Sequence, residues 1–200
     1  MILLHRPNPD EIDAYLARAA EMPFSYAEVG ASRDDVPPPG YVADHRRALV
    51  GHGDDAFRAA RACLCRWDMF DLGWVTLAWP RVEPAPGATV APVARLFGTW
   101  WLNACRVVYV EEPTPQAKRF RFSYGTLTDH AESGEERFTV EQLDDGSVWY
   151  DLYAFSRPNH WLTRLGYPLA RRMQQRFGRD SLAALARAVR RELAPAGASA

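Results

Sequence analysis

The 200-residue chain is 48% hydrophobic and 24% charged, and its formal net charge is −1. That composition suits one globular domain that buries a large core without disulfides or metals. It excludes a disordered chain, and it carries no whole-protein signature of nucleic-acid or membrane binding.

The opening run Met1-Ile2-Leu3-Leu4 meets His5, Arg6 and Pro7 at once, so it is too short for a signal peptide. No apolar run approaches membrane-spanning length, so a cytoplasmic protein without integral membrane association is expected. Asn8, Pro9 and Glu11 form a capping-box start, and Ile12, Tyr15, Leu16 and Ala19 follow at helical spacing until Pro23. Pro37-Pro38-Pro39-Gly40 reads as a stiff extended connector. Tyr41 to Val50 predicts a strand. Asp54 and Asp55 then open a second helix whose stripe is Phe57, Ala60, Leu64 and Trp67, with Gly73 as its stop. Cys63 and Cys65 point to different sides of that helix, and with Cys105 they read as small buried hydrophobes. No zinc spacing, phosphate-cradling loop or dinucleotide fingerprint is present, so neither metal nor cofactor is expected.

After Gly73 the period changes to that of strands, predicted at 74–79, 89–97, 104–111, 119–127, 135–142 and 148–156. Asp144-Asp145-Gly146 fits a three-residue hairpin loop with Gly in the left-handed conformation. That register pairs Val140 with Tyr150, Phe138 with Leu152 and Glu136 with Ala154. It gathers Phe138, Val140, Tyr150, Leu152 and Ala154 on one face, whereas a one-residue slip would insert Asp151. From about His160 the helical period returns. Pro168 marks a first turn or kink, and Leu169, Met173 and Phe177 lead to Leu182, Leu185, Val189 and Leu193. Gly178 and Asp180-Ser181 are expected to bend or interrupt this helix. Residues 161–200 hold eight arginines and two acids, a net +6 against −7 for the remainder. This reads as a basic helix docked on an acidic body, in preference to an anion-binding or membrane surface.

Consecutive strands joined by short turns pair antiparallel, and the last helix is the available cover for their apolar face. An α+β fold follows: a curved antiparallel sheet of about seven strands wrapped on a long C-terminal helix, with an N-terminal helical extension. Residues 1–200 are taken as a single domain, with 1–40 as the extension, 41–193 as the core and 194–200 as a disordered tail. The order of elements resembles the helix-grip fold of the START and birch-pollen-allergen-like superfamily, which implies a hydrophobic cavity between sheet and helix. More specific blocks are Phe24-Ser25-Tyr26-Ala27-Glu28-Val29-Gly30, Trp67-Asp68-Met69-Phe70-Asp71-Leu72-Gly73-Trp74 and Asn103-Ala104-Cys105-Arg106-Val107-Val108-Tyr109. Tyr124-Gly125-Thr126-Leu127, Gly134-Glu135-Glu136-Arg137-Phe138, Ala154-Phe155-Ser156-Arg157-Pro158 and Leu165-Gly166-Tyr167-Pro168-Leu169 continue the pattern. In this order they resemble the domain of unknown function 1990, the UPF0548 family of bacteria and plants, from about Arg6 to Leu193. Ala104 departs from it, where proline is expected in many members. The resemblance implies no established activity.

Arg106 and Glu136 are the first candidates, because a charge on an apolar sheet face needs a partner. They are either a polar anchor for a ligand head group or a buried ion pair fixing the fold. Parity on the strand holding Arg106 is ambiguous, since Cys105, Val107 and Tyr109 are also apolar. Tyr124, Thr126 and Tyr150 offer hydroxyls to the same face, although inward tyrosines are more often core residues. Trp74 and most other tryptophans are expected in the core or a cavity wall. His130, Asp129, Glu132 and Glu135 read as a solvated loop, because their spacing matches no metal motif. A small hydrophobic or amphipathic molecule bound between sheet and last helix is the leading expectation. A cyclase- or hydrolase-type enzyme using the same cavity is the alternative. A protein-interaction domain using Trp100-Trp101 or the basic helix ranks third, and the oligomeric state is open.

Overall fold

The computed structural model describes residues 1–78, 83–159 and 167–194. The expectations for Trp79, His160, Trp161 and the tail beyond residue 194 lie outside the described residues. Asn8 caps α1 (Pro9–Ala19) reciprocally with Glu11, each side chain meeting the other's backbone N–H at 2.9 Å. Helix α2 (Gly53–Cys65) starts with Asp54 and Asp55 in its first turn, where the dipole favours acids. It stops before the expected position. Trp67 adopts φ 62° and turns the chain into a short 3-10 segment, Asp68–Phe70, so Trp67 reaches the core from outside the helix.

The strands are β1 (Ile2–Leu3), β2 (Val42–His52), β3 (Val75–Ala78), β4 (Thr89–Leu96), β5 (Thr99–Leu102), β6 (Cys105–Glu111), β7 (Arg119–Thr126), β8 (Glu132–Gln142) and β9 (Ser147–Pro158). They form one antiparallel sheet in the order β1-β5-β4-β6-β7-β8-β9-β2, with β3 paired to β4. Among the described residues, nine strands therefore stand where seven were expected. The short strands β1 and β5 are the additions. The β8–β9 hairpin has the predicted register: Val140 faces Tyr150, Phe138 faces Leu152 and Glu136 faces Ala154. Gly146 closes the turn at φ 81°, and its N–H bonds to Leu143 O at 2.9 Å.

The last helix, α3 (Tyr167–Leu193), runs unbroken through Gly178 and Asp180-Ser181. No interruption occurs because Ser181 is fully buried and its hydroxyl meets that of Tyr150 at 3.0 Å. Leu185 and Val189, both fully buried, join Leu64 of α2 and Phe122, Phe138 and Val140 of the sheet in the main core. The sheet is covered on its other face too. Residues 24–35 lie across it, and Tyr26, Tyr41, Tyr153 and Phe155 make a second apolar cluster there. No helix among the described residues is long and apolar enough to cross a membrane.

Candidate functional site

A cleft of about 220 Å³ lies between the inner face of the sheet and the first half of α3. Its walls follow from strand alternation. Glu132, Gly134, Glu136 and Phe138 share one face of β8, and the paired rows carry Ser156, Ala154 and Leu152 on β9. The next strand, β2, places Asp44 beside Ala154 and Arg46 beside Leu152. Helix α3 closes the space with Met173, Gln174, Phe177 and Gly178, and Phe70 and Trp74 form the far wall. Phe70 stacks in tilted contact with Phe177 (5.4 Å between centroids) and Phe138 (6.1 Å), so the inner end is apolar.

Several ties hold α3 over the cleft. Arg171 makes a bidentate pair with Asp44, one of its bonds 3.0 Å long, and Gln174 donates to Ser156 Oγ at 2.9 Å. Trp74 Nε1 donates to Asp180 at 2.8 Å, and the Arg176 guanidinium stacks 4.5 Å from the Trp74 ring. Arg46 crosses α3 at Gly178, where a Cβ would lie 2.7 Å from Arg46 Cδ. Arg46 has no ion pair or hydrogen bond among the described residues.

Glu136 is the central polar group. Its Oε2 accepts the Tyr124 hydroxyl at 2.5 Å, and the accessible part of its side chain opens into the cleft. Burial pushes its pKa up to about 7; the Tyr124 bond opposes the shift and the Asp44 charge adds to it. The same burial holds the Tyr124 hydroxyl well above its usual range. Glu132 has the same raised value, about 7, again chiefly from burial and opposed by polar neighbours that include Ser156 and Arg171. Both Glu132 carboxylate oxygens are buried without a hydrogen bond of good geometry. Ser156, whose Oγ accepts from Gln174 and keeps its own hydroxyl proton, and Gln174 lie close enough to favour the charged form. A pair of carboxylates that hold or release protons near neutrality can accept a ligand's donors or shuttle a proton.

The predicted site residues part company. Tyr124, Glu136, Thr126 and Trp74 line the cleft. The Thr126 hydroxyl is already engaged, by both backbone groups of Gly134 and by Ser25 Oγ at 2.6 Å. Tyr150 lies deeper, fully buried, with its hydroxyl on Ser181. Arg106 is not with Glu136 at all. It pairs across to Gly125 on the outer face and donates to the carbonyls of Ala19, Ala20 and Met22 at 2.8–3.0 Å, capping the end of α1. Cys105 and Val107 face inward, so Arg106 between them faces outward; a bulge between Val107 and Tyr109 then shifts the parity, and the Tyr109 hydroxyl meets outer-face Ser32 at 2.9 Å. Neither reading of the Arg106–Glu136 pair therefore applies.

The acidic loop is also corrected. Strand β8 begins at Glu132, so Glu132 and His130 border the cleft and Glu135 is buried on the outer face. Glu135 accepts Tyr26 Oη, Gly30 N and Ser123 Oγ, each at 2.8 Å, as well as the Ser32 hydroxyl and backbone N–H. Five donors on one carboxylate anchor the 24–35 segment to the sheet. Among the described residues no cluster of His, Cys, Asp or Glu has metal-binding form, and all three cysteines are buried and unpaired. Glu132, Asp44, Arg46 and Gln174 were missed by sequence reasoning. Parity along β8 carried the signal for Glu132, two inward positions before Glu136.

The family model described as "Domain of unknown function (DUF1990)" matches residues 25–184. The chain is 38% identical over 202 residues to a UPF0548 protein of Deinococcus radiodurans, covering 94% of this chain and 98% of the relative. It is 32% identical over 207 residues to a UPF0548 protein of Dictyostelium discoideum, covering 94% and 96%. Among solved structures, the Zhui aromatase/cyclase of a Streptomyces species matches with a TM-score of 0.52 at 12% identity, over 78% of this chain and 98% of that one. That similarity is one of fold, the helix-grip arrangement of a curved sheet around a C-terminal helix.

Proposed function

Because the chain belongs to the DUF1990 (UPF0548) family, its chemistry has to be argued from its own cleft, and we propose that it binds a small amphipathic molecule between the sheet and α3. The observation that carries this is the cleft's division into an apolar end at Phe70, Phe177 and Leu152 and a polar end at Glu136, Tyr124 and Glu132. Few polar groups set among apolar walls is the usual composition of a small-molecule site. The volume of about 220 Å³ is below the drug-sized range and suits a single-ring or short-chain molecule. Trp74, Tyr124 and Glu136 are the contact residues of this reading. Native mass spectrometry of the purified protein is the test. A small molecule should travel with the wild type and be absent from Ala154→Trp, which fills the cleft floor. Retention of the same molecule by that variant would refute the assignment.

A second reading is supported by the 2.5 Å Tyr124–Glu136 bond and the raised Glu136 pKa. A carboxyl group near pKa 7 beside a phenol suits general acid–base work of a cyclase or hydrolase type. Glu136→Gln should then keep ligand binding and lose turnover.

A further inference from the structure

Resting on the ligand-binding reading, we infer that the cleft's occupant is an amphipathic cation, its ammonium group on Glu132 and its apolar body against Met173 and Phe177 of α3. Most polar groups of the cleft are already engaged. Asp44 is taken by Arg171 and Trp74 Nε1 by Asp180, while Ser156 Oγ accepts from Gln174 and keeps one hydroxyl proton beside Glu132. His130 Nδ1 is engaged with the Glu132 backbone at 3.0 Å, and Glu135 is satisfied on the other face. What stays open is acceptor capacity. Both Glu132 oxygens are buried without a hydrogen bond of good geometry, and Glu136 has a bond only at Oε2.

A buried carboxylate short of hydrogen bonds is unfavourable unless it takes up a proton or a counter-charge. A protonated amine supplies three donors and the missing charge at once. Arg46 is the cleft's unpaired cation among the described residues, yet it does not serve Glu132. It stands in the row of Phe138 and Leu152, six residues along β8 from Glu132, or about 20 Å along the strand. Glu136 lies between them and adds negative potential, with Tyr124 and Asp44 as its charged or titratable neighbours. Arg171 is the cation nearest Glu132 in effect, and its own bonds go to Asp44 and Gln174.

The test is calorimetric titration of the full chain with phenethylamine, 2-phenylethanol and phenylacetate, three single-ring probes differing in the charge of one end. At pH 8 the amine should bind at least about tenfold more tightly than the alcohol. Its affinity should fall roughly tenfold between pH 8 and pH 6, because Glu132 takes up a proton with a pKa of about 7. Glu132→Gln should bring the amine down to the alcohol's affinity. Should that variant fold poorly, the wild-type pH series decides alone. Equal affinity of amine and alcohol at both pH values would overturn the cation and leave the ligand-binding reading standing. Tightest binding of phenylacetate, lost in Arg46→Ala, would overturn it in favour of an anion. Failure of all three probes would overturn the cation and the cleft reading together.

Discussion

Glu136→Gln should make the protein more stable at pH 8 and leave it unchanged at pH 4.5. The carboxyl group of Glu136 has a pKa near 4.5 when the chain is unfolded and about 7 when folded. Between these values the fold holds a proton that the unfolded chain has released, so stability falls as pH rises through this window. The difference between about 4.5 and about 7 corresponds to about 3 kcal/mol, and water reaching the cleft side of Glu136 reduces this to about 2–3 kcal/mol. Glutamine keeps an acceptor for the Tyr124 hydroxyl, whose bond is 2.5 Å, and never carries the charge. For a chain of this size, melting should rise by roughly 4–12 °C at pH 8. Glu132 titrates in the same range, but it is present in both proteins and cancels in the difference. Thermal melts of both proteins from pH 4.5 to 8 give the answer. Parallel curves across that range would refute a buried, reluctantly ionised Glu136.

Gly125→Ala should destabilise the fold by about 2–3 kcal/mol in urea titrations, because its Cβ would sit 2.0 Å from Tyr26 Oη, which the Glu135 bond holds in place. Tyr150→Phe and Arg106→Met should each lower stability by about 1–2 kcal/mol while leaving cleft affinity for any ligand intact. A change in affinity with either variant would return that residue to the site.

Local chemistry made part of this fold legible. The Asn8–Glu11 box and the Asp144–Gly146 turn each set a geometry within a few residues, and both stand where the sequence puts them. Glu136 followed from the turn, because a fixed register assigns faces to every residue of the hairpin. Arg106 went astray because parity cannot be carried through a bulge that only the pairing with β7 reveals. Glu132 was hidden by a strand boundary: with β8 starting at residue 135 it is loop, and with β8 starting at Glu132 it is cleft wall. The second cover of the sheet was illegible for a different reason. Residues 24–35 have almost no periodic structure, and what holds them is the convergence of hydroxyls and N–H groups on Glu135, a long-range match with no local pattern. The Ala104 departure has a local meaning as well. Its N–H donates to the Tyr15 hydroxyl at 3.1 Å, a bond that proline could not make.

The pairing of β2 with β9 sets a timetable for the growing chain. Ala48 meets Tyr150 and Arg46 meets Leu152, so an eleven-residue strand made early has no neighbour until most of the chain has been synthesised. Helix α2, which follows it, also waits for the sheet whose inner face buries Phe57 and Leu64. On the ribosome, the nascent chain carries an unpaired edge and an uncovered apolar helix side by side, the combination that chaperones recognise. Closure of the half-barrel is consequently a late event dominated by long-range contacts, and its rate is set by topology more than by the strength of any one tie.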